Sequence, residues 1–167
     1  TAFLKFLIED FVHEEKVIYI DADTIILKSL RPLLSIKLNG FCLAAVEEDT
    51  YTDYEKEKVG IKNNIKTFNS GIFVIDLDIW KKQKIKQKCI EHLKKYRRDL
   101  YFLDQDSLNS VISGKFQSLD SSFNQTQHPT VVHFSGYEKP WLFESNHIYK
   151  KHYWKFRNQT ILITGGA

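Results

Sequence analysis

The run VIYIDADTIIL, residues 17–27, constrains this chain more than any other stretch. Val17, Ile18, Tyr19 and Ile20 follow one another without polar alternation, the pattern of a strand covered on both faces rather than one. The run then reaches Asp21-Ala22-Asp23. Side chains two apart leave an extended chain on the same face, so extended geometry carried to the end of the strand would project both carboxylates together. Like charges so placed repel unless a cation sits between them, and carboxylate oxygens suit magnesium or manganese. Taken alone, an aspartate pair after a strand is more often a turn or a helix cap. The remainder of the chain has to decide.

Strand-like and helix-like segments alternate along the sequence. A helix over roughly 2–11 precedes the strand 16–21. SLRPLLSI reads as a short helix, FCLAAVE (41–47) as a second buried strand, and 48–68 as a polar loop or short helix. SGIFVIDL (70–77) is a third strand. Beyond it, Ile79, Trp80, Ile85, Cys89, Leu93 and Tyr96 recur at near-helical spacing, predicting a long amphipathic helix. DQDSLNSVIS predicts another helix, KFQSLD and TVVHFS two late strands, and HIYKKHYWKFR a basic, aromatic terminal helix. This order predicts an α/β fold with a mainly parallel sheet flanked by helices. No G-x-G-x-x-G and no Walker lysine loop is present, so the simplest phosphate cradles are missing.

With 167 residues the chain suits one domain. A net charge of +3 is too small to argue for nucleic acid. Cys42 and Cys89 lack metal-type spacing and read as small core residues of a reducing compartment, with one disulfide as the alternative. No apolar run approaches membrane-spanning length. The sequence contains no methionine, and the chain is expected to be a piece of a longer protein.

VVHFSGYEKPW, 131–141, delivers His133 from a strand into a loop holding Gly136, Lys139 and Trp141. Imidazole suits transition metals better than magnesium, a glycine lets backbone approach a ligand, and a lysine is a compact cation for a phosphate oxygen. His133 alone reads more simply as a strand-end histidine. Joined to the aspartate pair, it makes a carboxylate–carboxylate–imidazole set beside a lysine, a receptacle for a metal-bound diphosphate. In FLDQDSLN, Asp104 and Asp106 open a helix; one is expected to cap it and the other to face a cleft at the strand ends. Asn69 precedes a small Ser-Gly pair, which alone reads as a turn.

The order YIDADTIIL, FNSGIFVIDLDIW, FLDQDSLN, HFSGYEKPW resembles glycosyltransferase family 8, which includes bacterial lipopolysaccharide galactosyl- and glucosyltransferases and glycogenin; the likeness runs from about Thr1 to about Trp154. The resemblance implies a Rossmann-like nucleotide-diphospho-sugar transferase fold of the GT-A type, incomplete because the family's upstream nucleotide-binding segment is not included. It implies a catalytic domain over 1–157 and a tail over 158–167. It implies a retaining transfer of glucose or galactose from UDP-glucose or UDP-galactose to a saccharide or lipid-linked glycan such as lipopolysaccharide. Asp21, Asp23 and His133 match ligands of Mn2+, with Mg2+ as the alternative ion. Asp21, Ala22, Asp23, Gly136 and Lys139 match donor-diphosphate positions, Asn69 and Asp104 lie near the transferred sugar's hydroxyls, and Gln105 beside the reacting carbon. Lys5 stands where many members carry arginine, and Glu47 falls near a common aspartate position.

Two rival readings remain. A haloacid-dehalogenase-type phosphatase also places D-x-D after a buried strand, but Ile25 stands where its motif wants Thr or Val, and the histidine loop goes unexplained. A non-catalytic sugar-nucleotide or cation-binding module of a polysaccharide assembly is the other. The protein is expected in the cytoplasm, and the basic, aromatic C-terminal segment is read as a candidate peripheral contact with the inner face of the plasma membrane. ILITGGA is read as an edge strand, similar to the opening of a dehydrogenase or epimerase domain.

Overall fold

The computed structural model describes residues 2–124 and 127–164. A 3-10 turn, Ala2–Leu7, runs into α1 (Ile8–Phe11). There follow β1 (Lys16–Ile20), β2 (Thr24–Ile26), α2 (Arg31–Ser35), β3 (Leu43–Glu47) and α3 (Asp53–Lys58). Then come β4 (Phe68–Asp76), α4 (Leu77–Lys82), α5 (Ile85–Tyr96), α6 (Asp104–Ile112), β5 (Gln117–Ser118), β6 (Val131–His133) and α7 (Lys150–Thr164).

The main sheet has the order β1-β4-β3-β5, and β2 and β6 form a separate antiparallel pair. β4 runs antiparallel to both β1 and β3, while β3 and β5 are parallel. Three of the four strands therefore share one direction, but β4 is inserted against them, so two of the three pairings are antiparallel and the sheet is mixed rather than mainly parallel. The unbroken apolar runs identify covered strands and carry no information on direction, since a central antiparallel strand is equally buried.

β4 is that central strand, its first eight residues buried. Its side chains alternate between two cores. Phe73 and Ile75 join Phe6, Trp80, Cys89, Leu108 and Phe116 beneath the helices. Ile72 and Val74 join Leu33, Leu38, Phe123 and Val131 on the opposite face. Burial on both faces is what the apolar runs predict. Cys42 and Cys89 are free buried thiols, so the disulfide alternative is not realised; burial, with the nearby Asp76 charge, pushes the Cys42 thiol up to about 12.

Two local expectations are corrected. The long helix after β4 is two helices, parted at Lys84 with φ +55°. Trp80 and Ile85 stand five residues apart, about 140° around an unbroken helix, and the break lets both reach one core. The segment 161–164, expected as strand, continues α7, because no glycine or proline interrupts the chain between Lys150 and Thr164; the closing glycines lie outside the described residues. Within the polar segment, Thr52 and Glu55 form a reciprocal capping box that starts α3. No helix among the described residues is long and apolar enough to cross a membrane.

Candidate active site

β1 ends at Ile20, and Asp21-Ala22-Asp23 is a turn into β2 rather than an extension of the strand. The Asp21 amide donates to the Gly71 carbonyl (2.8 Å) and the Thr24 hydroxyl to the Asp21 carbonyl (2.9 Å). The two carboxylates thus meet through a turn, correcting the extended geometry expected for them. The β2–β6 ladder then supplies the third group. It sets Thr24 opposite His133, and the Phe134 amide donates to the Asp23 carbonyl (2.9 Å). His133 Nε2 lies 3.3 Å from Asp23 Oδ1 and 3.8 Å from Asp21 Oδ2.

One ligand atom from each of Asp21, Asp23 and His133 lies within 4.8 Å of the other two. The remaining ring nitrogen, Nδ1, is 3.0 Å from Asn124 Oδ1. With the amide oxygen accepting, Nδ1 is a donor to Asn124, the outer partner a metal-binding imidazole requires, and Nε2 is the ring atom turned to the carboxylates: Nε2–H donates to Asp23 in the metal-free site, and a bound ion would take that proton's place. Two carboxylates and an imidazole fit manganese better than magnesium. Burial opposes ionisation of Asp23, but hydrogen bonds and charges from His133 and Lys139 outweigh it and hold the carboxyl well below the usual carboxylate range.

A second cluster adjoins this one. Lys5, 4% exposed, places Nζ 2.6 Å from Asp104 Oδ2, 3.2 Å from Asp21 Oδ1 and 2.9 Å from the Ser70 carbonyl. Tyr19 donates to Asp21 (2.6 Å); burial and that hydrogen bond push the phenol up, so it stays a donor. The Ser70 hydroxyl donates to Asp104 Oδ2 (2.8 Å) and the Ser70 amide to Gln105 Oε1 (3.0 Å). Asn69 donates to Glu48 (3.0 Å) and accepts from the Gly71 amide (2.8 Å).

Both clusters line one cavity of ≈ 590 Å³. Of the positions expected from sequence, Asp21, Asp23, Asn69, Asp104, Gln105, His133, Gly136 and Lys139 all reach it. Ala22 is exposed and is not among the lining residues. Asp104 faces the cavity. Asp106 turns away and accepts from the Tyr101 and Phe102 amides (2.7 and 2.9 Å) and the Tyr51 hydroxyl (2.7 Å), so one aspartate faces the cavity as expected, but the expected cap is not made: the N-cap of α6 is Leu103, without a side-chain hydrogen bond, and Asp106 ties down the loop before the helix. Gly136, at φ +81°, takes a conformation that favours glycine.

Sequence reasoning missed Glu48. Glu47 bonds Lys66 and Ser118 outside the cavity, whereas Glu48 lines it. A register shift between Ala45 and Glu47 breaks the alternation that would assign the inward residue. Asn124 and the lining segment Tyr101–Leu103 were missed too; a loop carries no periodicity, and only their contacts reveal them.

A mixed sheet ending in a D-x-D turn, with a histidine returned to it by a second small sheet, defines the GT-A class of nucleotide-sugar transferase folds. Galactosyltransferase LgtC, solved in complex with donor and acceptor sugar analogs, superimposes with a TM-score of 0.83 at 22% identity, covering 95% of this chain and 66% of that one. The glycosyl transferase family 8 model matches residues 1–145, and the chain belongs to that family. General stress protein A of Bacillus subtilis is 28% identical over 188 residues, 96% of this chain and 65% of that protein. A putative glycosyltransferase of Haemophilus influenzae is 33% identical over 154 residues, 80% of this chain and 46% of that protein. The chain therefore spans from under half to about two thirds of the length of these curated relatives.

Proposed function

We propose that the chain is the metal- and sugar-binding part of a retaining hexosyltransferase that moves glucose or galactose from a UDP-sugar to a saccharide or lipid-linked glycan, with Mn2+ held by Asp21, Asp23 and His133. The convergence of these three groups within 4.8 Å carries the reading. When bound there, the ion supplies Lewis-acid neutralisation of charge on the departing diphosphate. Lys139 places a fixed positive charge beside the same oxygens, on a loop that Gly136 lets approach closely.

Asp104, oriented by Lys5 and Ser70, and Asn69, oriented by Glu48, present acceptors and donors to the sugar hydroxyls. Gln105 has its Oε1 committed to the Ser70 amide, which leaves the NH2 to donate. Asp104 Oδ2 is engaged by both an ammonium and a hydroxyl, which lowers its nucleophilicity. A front-face departure, in which the leaving phosphate accepts the acceptor's proton, therefore suits this site better than a covalent glycosyl-enzyme.

The C-terminal region supports a peripheral contact with an anionic lipid surface at the cytoplasmic face of the membrane. Tyr137, Phe143 and Ile148 are exposed, and the basic helix α7 that follows them carries exposed Lys151, Lys155 and Arg157. Lys150 is committed instead to the Leu142, Phe143 and Ser145 carbonyls (3.0, 2.8 and 3.0 Å). The phosphatase reading has no support from a family match running over residues 1–145.

The test measures UDP release from a panel of UDP-sugars with and without Mn2+, alongside Mn2+ binding by electron paramagnetic resonance. Asp23→Asn is expected to abolish both and to preserve the circular dichroism spectrum. Metal-independent turnover, or release of inorganic phosphate instead of UDP, would overturn the proposal.

A further inference from the structure

Gly71 interrupts the most deeply buried strand of the protein. A glycine inside a strand forfeits side-chain packing and costs folding entropy. Its backbone supplies no reason for the choice, since Gly71 is not among the glycines with positive φ. Space does. A Cβ built on Gly71 would stand inside van der Waals contact with Cε1, Nδ1 and Nε2 of His133, the farthest of the three at 2.8 Å. The imidazole, Cε1 foremost, occupies the place a side chain would take.

We infer that Gly71 is the positioning residue of the metal centre, a slot without a side chain that seats the His133 ring against the D-x-D carboxylates; this rests on the metal reading proposed above. The ring cannot yield sideways at little cost. Its Nδ1 is tied to Asn124 (3.0 Å), and its backbone is fixed by the ladder to β2. An added methyl would rotate the imidazole off Asn124 and carry Nε2 away from Asp21 and Asp23. The same residue also places one carboxylate, through its carbonyl on the Asp21 amide (2.8 Å), and receives Asn69 Oδ1 on its own amide (2.8 Å). Gly71 thereby references the histidine and an aspartate of the same ion site to one point of β4. Gly136 differs, since a Cβ there meets nothing within 4 Å and its glycine answers to φ alone.

The experiment is a thermodynamic cycle of Gly71→Ala and His133→Ala, read by thermal unfolding and, separately, by Mn2+ titration under electron paramagnetic resonance. Gly71→Ala is expected to lower the unfolding temperature when His133 is present and to leave it unchanged or raised in the His133→Ala background. Mn2+ affinity of Gly71→Ala is expected to fall about 100-fold, the upper end of what loss of an orienting partner costs. If Gly71→Ala does not fold alone, rescue of folding by the double variant supports the inference in the same way. An equal thermal penalty in both backgrounds, a double variant that stays unfolded, or Mn2+ affinity unchanged in Gly71→Ala would overturn it. A wild-type chain that binds no Mn2+ would sink the metal reading and, with it, the metal half of this inference, while the thermal cycle would still decide whether Gly71 seats the ring.

Discussion

Lys139 Nζ lies 2.5 Å from Asp23 Oδ2, joining residues 116 apart in sequence. The other oxygen of the same carboxylate faces His133. Asp21 is likewise approached by Lys5, so each aspartate of the D-x-D turn has a lysine against it. These ammonium groups offset the repulsion that the sequence alone assigned to a cation.

Lys139 is thus both competitor and partner. Replacing it with methionine should strengthen binding of Mn2+ alone by about fivefold, the scale of ~1 kcal/mol for a partly exposed ion pair, and weaken binding of a UDP-sugar. Titration of metal and donor separately checks the opposed signs.

Asn124 fixes the His133 ring through Nδ1. Asn124→Ala should cost roughly 10–100-fold in Mn2+ affinity with little change in unfolding temperature, because the residue is outside both main cores. Calorimetric titration of the metal measures it.

Tyr51, 6% exposed, donates to the fully buried Asp106, which in turn holds the Tyr101 and Phe102 amides at the cavity's edge. Burial already pushes the Asp106 carboxyl up. Tyr51→Phe should destabilise the fold by about 1–3 kcal/mol, the cost of stranding a buried acceptor. Denaturant midpoints give the loss, and hydrogen exchange at the Tyr101 and Phe102 amides should accelerate.

His92 is buried between α5 and α6, with Nε2 2.6 Å from the Val59 carbonyl and Nδ1 3.1 Å from the Ser107 hydroxyl. Donation from Nε2 and acceptance at Nδ1 describe a neutral ring, and burial lowers its pKa below the usual 6.5. The unfolded chain then binds the proton first, so this contribution is complete above about pH 6.5 and declines as pH falls from there toward the folded pKa. Unfolding temperature should drop on acidification through that window, and His92→Gln should flatten the drop.

That the residues of the cavity belong to one site was legible because their types are rare in combination. Asp21, Asp23, His133 and Lys139 stand in motifs whose chemistry points to one task. How they meet was not legible. The turn at Ala22, the pairing of Thr24 with His133 and the inserted direction of β4 arise from contacts between distant segments. Periodicity identified the helices but not the break at Lys84, where a core requirement overrides helical continuity. The family resemblance pointed near Glu47, and Glu48 lines the cavity instead, because the irregular register of β3 leaves no mark in composition. Residues 161–164 read as strand by apolar content, and helical continuity from Lys150 prevailed.

The opening of β4 is shared by both halves of the cavity. Ser70 touches the groups proposed to meet the sugar, and Gly71, its neighbour, touches those proposed to grip the ion. Neither half can drift without dragging the other. Warming should therefore switch the site off in a single cooperative event, with no interval in which a correctly shaped ion cage outlives its sugar pocket.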